Sequence, residues 1–159
     1  MTAPDLAAIA ALSTRVHPKY PERPEVLAEK FRLFPAGSFA LAEGDTIAGY
    51  CFSHPWTKGA PPSLDTFLGE LPRVADSFFI HDLTLDASMR RRHLAAALVP
   101  DLVRAARGAA LSHMTLVAVN GSAPFWSRMG FHRTADEAIQ AAARAKYDAG
   151  AVHMERLLR

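Results

Sequence analysis

Apolar residues near the start of the chain recur at helical spacing. Those of the first predicted helix are Leu6, Ile9, Leu12 and Val16. This periodicity indicates a short amphipathic helix, which the proline-rich run 17–24 ends. Pro24 suits the first turn of a second helix, where its missing N–H would be unpaired in any case. The apolar face of this second helix is predicted to consist of Leu27, Phe31 and Phe34.

Strand-like segments make up much of the remaining chain. Strands are predicted at 38–43, 46–53, 77–86, 113–119, 131–135 and 152–158. Further helices are predicted at 88–107, 122–129 and 136–148. The long loop 54–76 lies between the second and third strands, and loops of that length in compact domains are often functional. Because strands outnumber helices early in the chain and alternate with them later, we expect an α/β (α+β) layered domain with a mixed sheet.

Length and composition limit the class of protein. At ~100–200 residues per domain, 159 residues predict one domain, 1–159. Half of the residues are hydrophobic and 21% are charged, which is ordinary for a globular chain and excludes collagen-like or disordered proteins. No apolar run approaches the ~18 residues of a membrane span, and the segment 6–12 lacks the positive flank of a signal peptide. With its one cysteine, Cys51, the chain cannot form an intramolecular disulfide, so we expect a cytoplasmic protein.

An arginine run precedes the helix predicted at 88–107. Arg90, Arg91 and Arg92 are followed by His93 and a helical pattern. Helix N-termini bind phosphate through unpaired N–H groups, and arginine adds charge-assisted hydrogen bonds. A solvated basic turn is the competing interpretation, and local sequence favours it, since arginine runs are common on protein surfaces. A nucleic-acid patch is a third possibility, but the net charge of +2 argues against it.

The second notable segment is Asn120-Gly121-Ser122-Ala123-Pro124, followed by Phe125-Trp126 and by Gly130-Phe131. An Asn-Gly hairpin turn is the simplest interpretation. However, Pro124 would interrupt the returning strand, and Gly130 is typical of a helix end. A strand, helix and strand therefore fit this segment better.

Together these segments resemble the GNAT acetyltransferase superfamily. That family has Arg/Gln-x-x-Gly-x-Gly/Ala after a central strand, and later Asn-x-x-Ala before an aromatic residue and Gly-Phe. Here the strand is 80–85, the loop is 90–95, and the later motif is Asn120-x-x-Ala123. The resemblance implies a mixed, largely antiparallel sheet of six or seven strands with about four helices. The parallel central strands 77–86 and 113–119 would splay apart and hold acetyl-CoA (coenzyme A).

The resemblance also implies which residues contact this cofactor. The pantetheine arm would be bound by backbone groups of Leu83 and Leu85. The pyrophosphate would be held beside Arg90 by amides at the helix start, namely those of Arg91, Arg92, His93, Leu94, Ala95 and Ala96. The pantetheine and thioester would be flanked by Asn120, Phe125 and Trp126.

The sequence departs from the family pattern at three of these positions. His93 and Arg91 stand where the family has glycine, and a side chain there would crowd the phosphates. Trp126 stands where many members have a tyrosine that acts as general acid, and an indole N–H cannot do so. Tyr147 is a weak alternative acid, and packing of an amphipathic helix on the sheet explains it better.

Acetyl transfer to an amine requires a general base, because an alkyl ammonium has a pKa near ~10.4. His81 is the first choice, since an imidazole titrates near neutrality and some family members place a histidine on this strand. Asp82 is the alternative, because successive strand residues face opposite ways unless a bulge intervenes. A structural role for both residues is an equally good interpretation.

The acceptor site, by the same resemblance, would involve Tyr20, Phe34 and Trp56. The seven histidines show no metal-ligand spacing, so no metal is expected. The sequence thus predicts an acetyl-CoA-dependent N-acetyltransferase, a monomer or homodimer, acting on a small-molecule or peptide amine and not on nucleic acid or membrane. The alternative is a non-catalytic acyl-CoA-binding or sensing module of the same fold, which His93, Arg91 and Trp126 favour.

Overall fold

The computed structural model describes residues 1–19, 22–89 and 92–159. Within these residues, the α-helices are α1 (Leu6–Val16), α2 (Pro24–Leu33), α3 (Leu94–Gly108), α4 (Ala123–Arg128) and α5 (Glu137–Lys146). The strands are β1 (Ser38–Glu43), β2 (Thr46–Trp56), β3 (Ser77–Leu85), β4 (His113–Ala118), β5 (His132–Arg133) and β6 (Val152–Leu157). Short 3₁₀ turns lie at Ala3–Asp5, Pro35–Gly37 and Ala87–Met89.

The six strands form one sheet in the order β1-β2-β3-β4-β6-β5. Neighbouring strands are antiparallel throughout, except for the central pair β3 and β4, which run parallel. This parallel pairing joins Phe78, Phe79 and Ile80 only to residues 114–116, after which β3 continues unpaired on that side to Leu85. The mixed, largely antiparallel sheet with a splayed central pair is therefore confirmed.

The helices bury apolar side chains on both faces of this sheet. On one face, α1 and α2 cover a cluster that contains Ile9, Leu12, Leu27, Tyr50 and Phe52. On the other face, α3 and α4 cover a larger cluster that contains Phe78, Leu102, Met114, Leu116 and Trp126. The larger cluster contains residues of both β3 and β4 and thus joins these two strands where they pair.

Two predicted boundaries differ from the structure by three residues or more. The helix predicted from 88 begins at Leu94, because Ala87–Met89 forms a separate 3₁₀ turn. The loop predicted from 54 begins after Trp56, because β2 continues through Pro55. β1 pairs with β2 only as far as Phe52, so Pro55 lies where one edge of β2 has no partner, a position that tolerates proline.

Candidate active site

A cavity of about 300 Å³ opens where β3 and β4 part. Its volume is at the lower end of the ~300–1,000 Å³ typical of small-molecule sites. Of the residues predicted to contact a cofactor, those that line it are Leu83, Leu85, Ala95, Asn120, Phe125 and Trp126. The two predicted catalytic residues, His81 and Asp82, line the same cavity.

A β-bulge in β3 brings His81 and Asp82 to the same face of the sheet. Asp82 pairs with Phe52 of β2, whereas the next residue of β2, Ser53, pairs with Ile80, so His81 is the extra residue. Without the bulge, these consecutive side chains would face opposite ways. Both now face the α1–α2 side, where their neighbours are buried polar groups.

The His81 ring lies behind the cavity wall. Its side chain is completely buried, and its Nε2 lies 3.4 Å from Glu22 Oε1. The ring packs against His54 and Phe79, with centroid distances of 5.7 and 5.8 Å. Its Nδ1 has no hydrogen-bond partner among the described residues. Of the two sequence-based choices for a base, this burial favours Asp82 over His81.

Glu22 is the charged centre of this buried cluster. Its Oε1 accepts hydrogen bonds from Lys30 Nζ and from the backbone N–H of Asp65, both at 3.1 Å. Burial alone would raise its pKa, but the hydrogen bond and charge of His81, together with Lys30, lower the pKa of Glu22 to about 2. Glu22 is thus a carboxylate at neutral pH.

Asp82 is held by neutral donors and remains one-fifth exposed. The Tyr50 hydroxyl donates to Oδ2 at 2.6 Å, and the Thr84 hydroxyl donates to Oδ1 at 2.9 Å. Burial, with the adjacent Asp82 charge, raises the pKa of Tyr50, so this phenol keeps its proton. The Nε2 atom of His17, at the end of α1, lies 2.6 Å from Thr84 Oγ1.

The N-terminus of α3 forms one end of the cavity. His93 is the N-cap residue, with a left-handed φ of 57°, and its side chain makes no capping hydrogen bond. Arg92 is exposed and pairs with Glu43 at 2.9 Å. Leu94 lines a second cavity, between α3 and β1–β3, whereas Ala96 lines neither. Arg90 and Arg91, also predicted to contact the cofactor, lie outside the described residues.

Two aromatic residues border the site on the α4 and α5 sides. Trp126 is buried and packs against Phe125 and Phe131, with ring centroids 5.0 and 5.4 Å apart. Tyr147 also lines the cavity, and its hydroxyl donates to the Pro62 carbonyl at 2.9 Å. Burial, together with the charges of Glu22 and Asp82, raises the pKa of Tyr147.

The residues predicted for the acceptor pocket are not brought together. Phe34 packs on Phe78 with a centroid distance of 6.0 Å, and it does not line the cavity. Trp56 also lies off the cavity, where its indole donates to the Ala60 carbonyl at 2.7 Å. Tyr20 lies outside the described residues. The residues that line the cavity on the α1–α2 side are instead Ser13, Val16, His17, Glu22 and Leu64.

Residues 6–131 match the model of the Acetyltransferase (GNAT) family. The match covers most of the chain, and the protein therefore belongs to this family. No curated protein matches the chain in sequence. No helix in the described part of the chain is both long and apolar enough to span a membrane.

Solved structures share this fold at low sequence identity. The GphF GNAT-like decarboxylase in complex with isobutyryl-CoA has a TM-score of 0.74 at 16% identity, covering 100% of this chain and 97% of that chain. The ribosomal-protein-S18-alanine N-acetyltransferase from Escherichia coli has a TM-score of 0.70 at 17% identity, covering 99% and 90%. The NatC complex bound to Gag peptide and CoA has a TM-score of 0.72 at 15% identity, covering 99% and 93%.

Proposed function

We propose that this protein is an acetyl-CoA-dependent N-acetyltransferase that acts on a primary amine of a small molecule or peptide. The observation that carries the proposal is the opening between β3 and β4, which leaves a cavity between a free strand edge and a helix N-terminus. Family membership and acetyltransferase neighbours support acyl transfer, and neighbours with bound CoA or isobutyryl-CoA support the cofactor.

The residues around the cavity fit such a cofactor. The β4-facing edge of β3 is unpaired beyond Ile80, so the backbone at Leu83 and Leu85 is available to an extended polar chain. The first turn of α3 begins with unpaired amides, as in any helix, and His93 does not cap them with its side chain. Asn120 and Phe125 line the opposite wall. Acetyl-CoA supplies the acetyl group as a thioester, and these residues would bind and orient it.

The acceptor nitrogen must be deprotonated before it can form the amide bond. Such an amine is an ammonium at neutral pH, and a positioned base contributes ~10²–10⁴ in rate. Asp82 is exposed to the cavity, whereas His81 is buried behind it. We therefore assign Asp82 to the set of residues that removes this proton. His81 has a structural role, because its ring contacts Glu22 on the cavity wall.

Trp126 shapes the wall near the departing thiol but supplies no proton. Its indole N–H can donate a hydrogen bond but is not an acid at neutral pH. Tyr147 is the ionisable phenol on the cavity wall among the described residues, yet its hydroxyl already donates to Pro62. We infer that the departing sulfur takes its proton from water or leaves as a thiolate.

Thermal-shift and thiol-release measurements test the proposal together. A ligand that binds only the folded state stabilises it by RT ln(1 + [L]/Kd), so CoA and acetyl-CoA should each raise the Tm. Ala95→Phe should reduce this shift because residue 95 lines the cavity. The matched control is Arg104→Phe, an exposed position of the same helix that lines neither cavity, where the shift should persist.

An amine panel then separates transfer from binding. Amine-dependent release of free thiol from acetyl-CoA is the result expected for an N-acetyltransferase. A Tm increase with no thiol release from any amine would instead support the non-catalytic acyl-CoA-binding module. Loss of CO₂ from a carboxylated acyl-CoA, without thiol release, would place the protein with its decarboxylase neighbour. No Tm change at saturating CoA would overturn the cofactor assignment.

A further inference from the structure

We propose that His17 accepts the proton of the acceptor amine through Nδ1 and that Thr84 and Asp82 position its ring. This inference rests on the proposed acetyl transfer and names the group that performs its proton step. Sequence analysis did not single out His17, which ends α1 directly before Pro18. The assignment follows from the hydrogen bonds that the cavity wall makes.

The other titratable groups on this wall are already committed. Glu22 is paired with Lys30, and its pKa of about 2 makes it a poor proton acceptor at neutral pH. The His81 side chain is completely buried, with its Nε2 directed to Glu22. The Tyr147 hydroxyl donates a hydrogen bond to the Pro62 carbonyl. Within the described part of the wall, this leaves His17 and Asp82, whose side chains are 21% and 20% exposed.

We assign the tautomer of His17 by giving the single hydrogen of the Thr84 hydroxyl to its charged neighbour, Asp82. The Thr84 hydroxyl has one proton, and it donates that proton to Asp82 Oδ1 at 2.9 Å. Thr84 Oγ1 must therefore accept at its 2.6 Å contact with His17 Nε2, so Nε2 carries the hydrogen. In the neutral ring, the lone pair then lies on Nδ1, which is the atom able to take a proton.

Asp82 acts on His17 as a positioning residue rather than as the acceptor. Its Oδ1 lies 3.8 Å from His17 Nε2, close enough to stabilise the imidazolium that forms. The Tyr50 hydroxyl holds its second oxygen at 2.6 Å and keeps the carboxylate in place. His17, Thr84 and Asp82 thus form a base, a connecting hydroxyl and a carboxylate.

The backbone holds His17 firmly beside β3. Its N–H donates to the Ser13 carbonyl at 2.8 Å, which completes the last turn of α1. Two residues earlier, Arg15 pairs with Asp86 at 2.8 Å, just beyond the end of β3. The His17–Thr84 hydrogen bond and the Arg15–Asp86 ion pair thus connect the end of α1 to β3 and to the residue that follows it.

The proton balance of this step is complete. On conversion to the amide, the nitrogen of an ammonium loses two protons. One passes to His17 Nδ1 and then to solvent. The second passes to water as the nitrogen–carbon bond forms. The carbon–sulfur bond breaks, the sulfur keeps the electron pair, and the thiolate takes a proton from water.

Long-range ¹H–¹⁵N NMR of the histidine rings tests the geometry without any substrate. We expect neutral His17 in the wild-type protein to show a protonated Nε2 and an unprotonated Nδ1. Thr84→Val removes the acceptor hydroxyl and should weaken this preference towards that of a free neutral imidazole. A wild-type His17 with its hydrogen on Nδ1 would overturn the assignment.

Kinetics with an amine that the wild-type enzyme accepts test the role. His17→Gln should lower kcat/KM by ~10²-fold or more and should leave the CoA-induced Tm shift unchanged. Added imidazole should restore part of the activity of His17→Ala, which a structural role would not explain. The matched control is His132→Gln on β5, away from the cavity, and it should retain wild-type kinetics.

A pH profile completes the test. The wild-type kcat/KM, corrected for ionisation of the amine, should have an acidic limb that His17→Gln removes. The titratable groups that face His17 from the surrounding elements are Asp82 and His81 on β3, Glu22 before α2 and Tyr147 after α5. Equal activity of His17→Gln and wild type, with the same limb, overturns the role of His17 and leaves acetyl transfer intact. A wild-type protein that releases no thiol with any amine overturns both.

Discussion

Glu22 Oε1 lies 3.1 Å from Lys30 Nζ, and the two residues retain only 7% and 2% of their surface. Lys30 is on a buried face of α2, and Glu22 precedes that helix on the cavity wall. A buried charge is tolerated only when it is paired and hydrogen-bonded, and here the backbone N–H of Asp65 and the ring of His81 complete the pairing. The ion pair thus links the wall of the site to the core under α2.

Lys30→Met should be strongly destabilising because it leaves the Glu22 carboxylate buried without its ammonium partner. We expect a loss of ~3–5 kcal/mol in the free energy of unfolding, measured by urea denaturation at pH 7. The double variant Glu22→Gln with Lys30→Met removes both charges and should be more stable than Lys30→Met alone. If Lys30→Met costs less than ~1 kcal/mol, the pair is not buried as described.

His54 should make stability depend on pH in the mildly acidic range. Burial, then the charges of His81 and Lys30, lower its pKa from 6.5 to about 3, whereas its Nδ1–H donates to the Pro55 carbonyl at 3.0 Å. Between pH 6.5 and 3, His54 is therefore protonated in the unfolded chain but neutral in the folded protein. The free energy of unfolding should fall on acidification by up to ~1.4 kcal/mol per pH unit from this group.

His54→Phe isolates this effect. Glu22 loses its stabilising contribution only as the pH falls from 4.5 toward about 2, so the range from pH 4.5 to 6.5 excludes it. Burial also lowers the pKa of His153, so this residue adds to the pH dependence of stability in the same range. The slope that remains in His54→Phe includes its contribution. Urea denaturation across this range should give a flatter slope for His54→Phe, and an unchanged slope would refute the buried neutral imidazole.

His93→Gly should stabilise the protein slightly and leave CoA binding at least as strong. A left-handed residue other than glycine costs ~1–2 kcal/mol, partly offset by the greater freedom of glycine in the unfolded chain. We expect a gain of up to ~1 kcal/mol, and His93→Val should lose more than ~1 kcal/mol. Calorimetric titration with CoA decides the second part, and weaker binding to His93→Gly would mean that the imidazole contacts the phosphates.

Trp126→Phe should keep kcat within ~10-fold of wild type, because the indole packs the wall and transfers no proton. The smaller ring leaves a cavity beside Phe131, and ~1–3 kcal/mol of stability should be lost. A drop of ~10³-fold with intact CoA binding would show that the indole N–H makes an essential hydrogen bond.

Trp56→Phe, assayed in parallel, should leave the KM of the acceptor unchanged, and a raised KM would restore the acceptor role expected for Trp56.

The sequence was most informative where local pattern and local geometry coincide. The order of strand 77–86, helix, strand 113–119 and Asn120 follows from periodicity and turn residues, and these elements enclose the cavity. The sequence allows a bulge at His81 but does not predict whether the strand has one. Its presence depends on how β3 pairs with β2, a partner far away in sequence.

The cavity wall on the α1–α2 side could not be predicted from local pattern because its residues are held by contacts distant in sequence. Glu22 lies in the proline-rich run 17–24, which indicated only a break between helices. Lys30 shares the face of α2 that was expected to be apolar, and nothing in its spacing indicates burial. Phe34 was assigned to that face, but α2 ends at Leu33 and the ring turns to Phe78.

The three-residue pairing between β3 and β4 also has a mechanical consequence. Phe78, Phe79 and Ile80 form the seam between two smaller sheets, β1-β2-β3 and β4-β6-β5. Among the described residues no other ladder joins these halves, and the core under α3 and α4 is their other connection. A substrate lodged past the seam would touch both halves and hold the angle between them fixed. Ligand binding would then make the sheet more rigid. Amide hydrogen exchange along the unpaired edge of β3, with and without ligand, would measure this change.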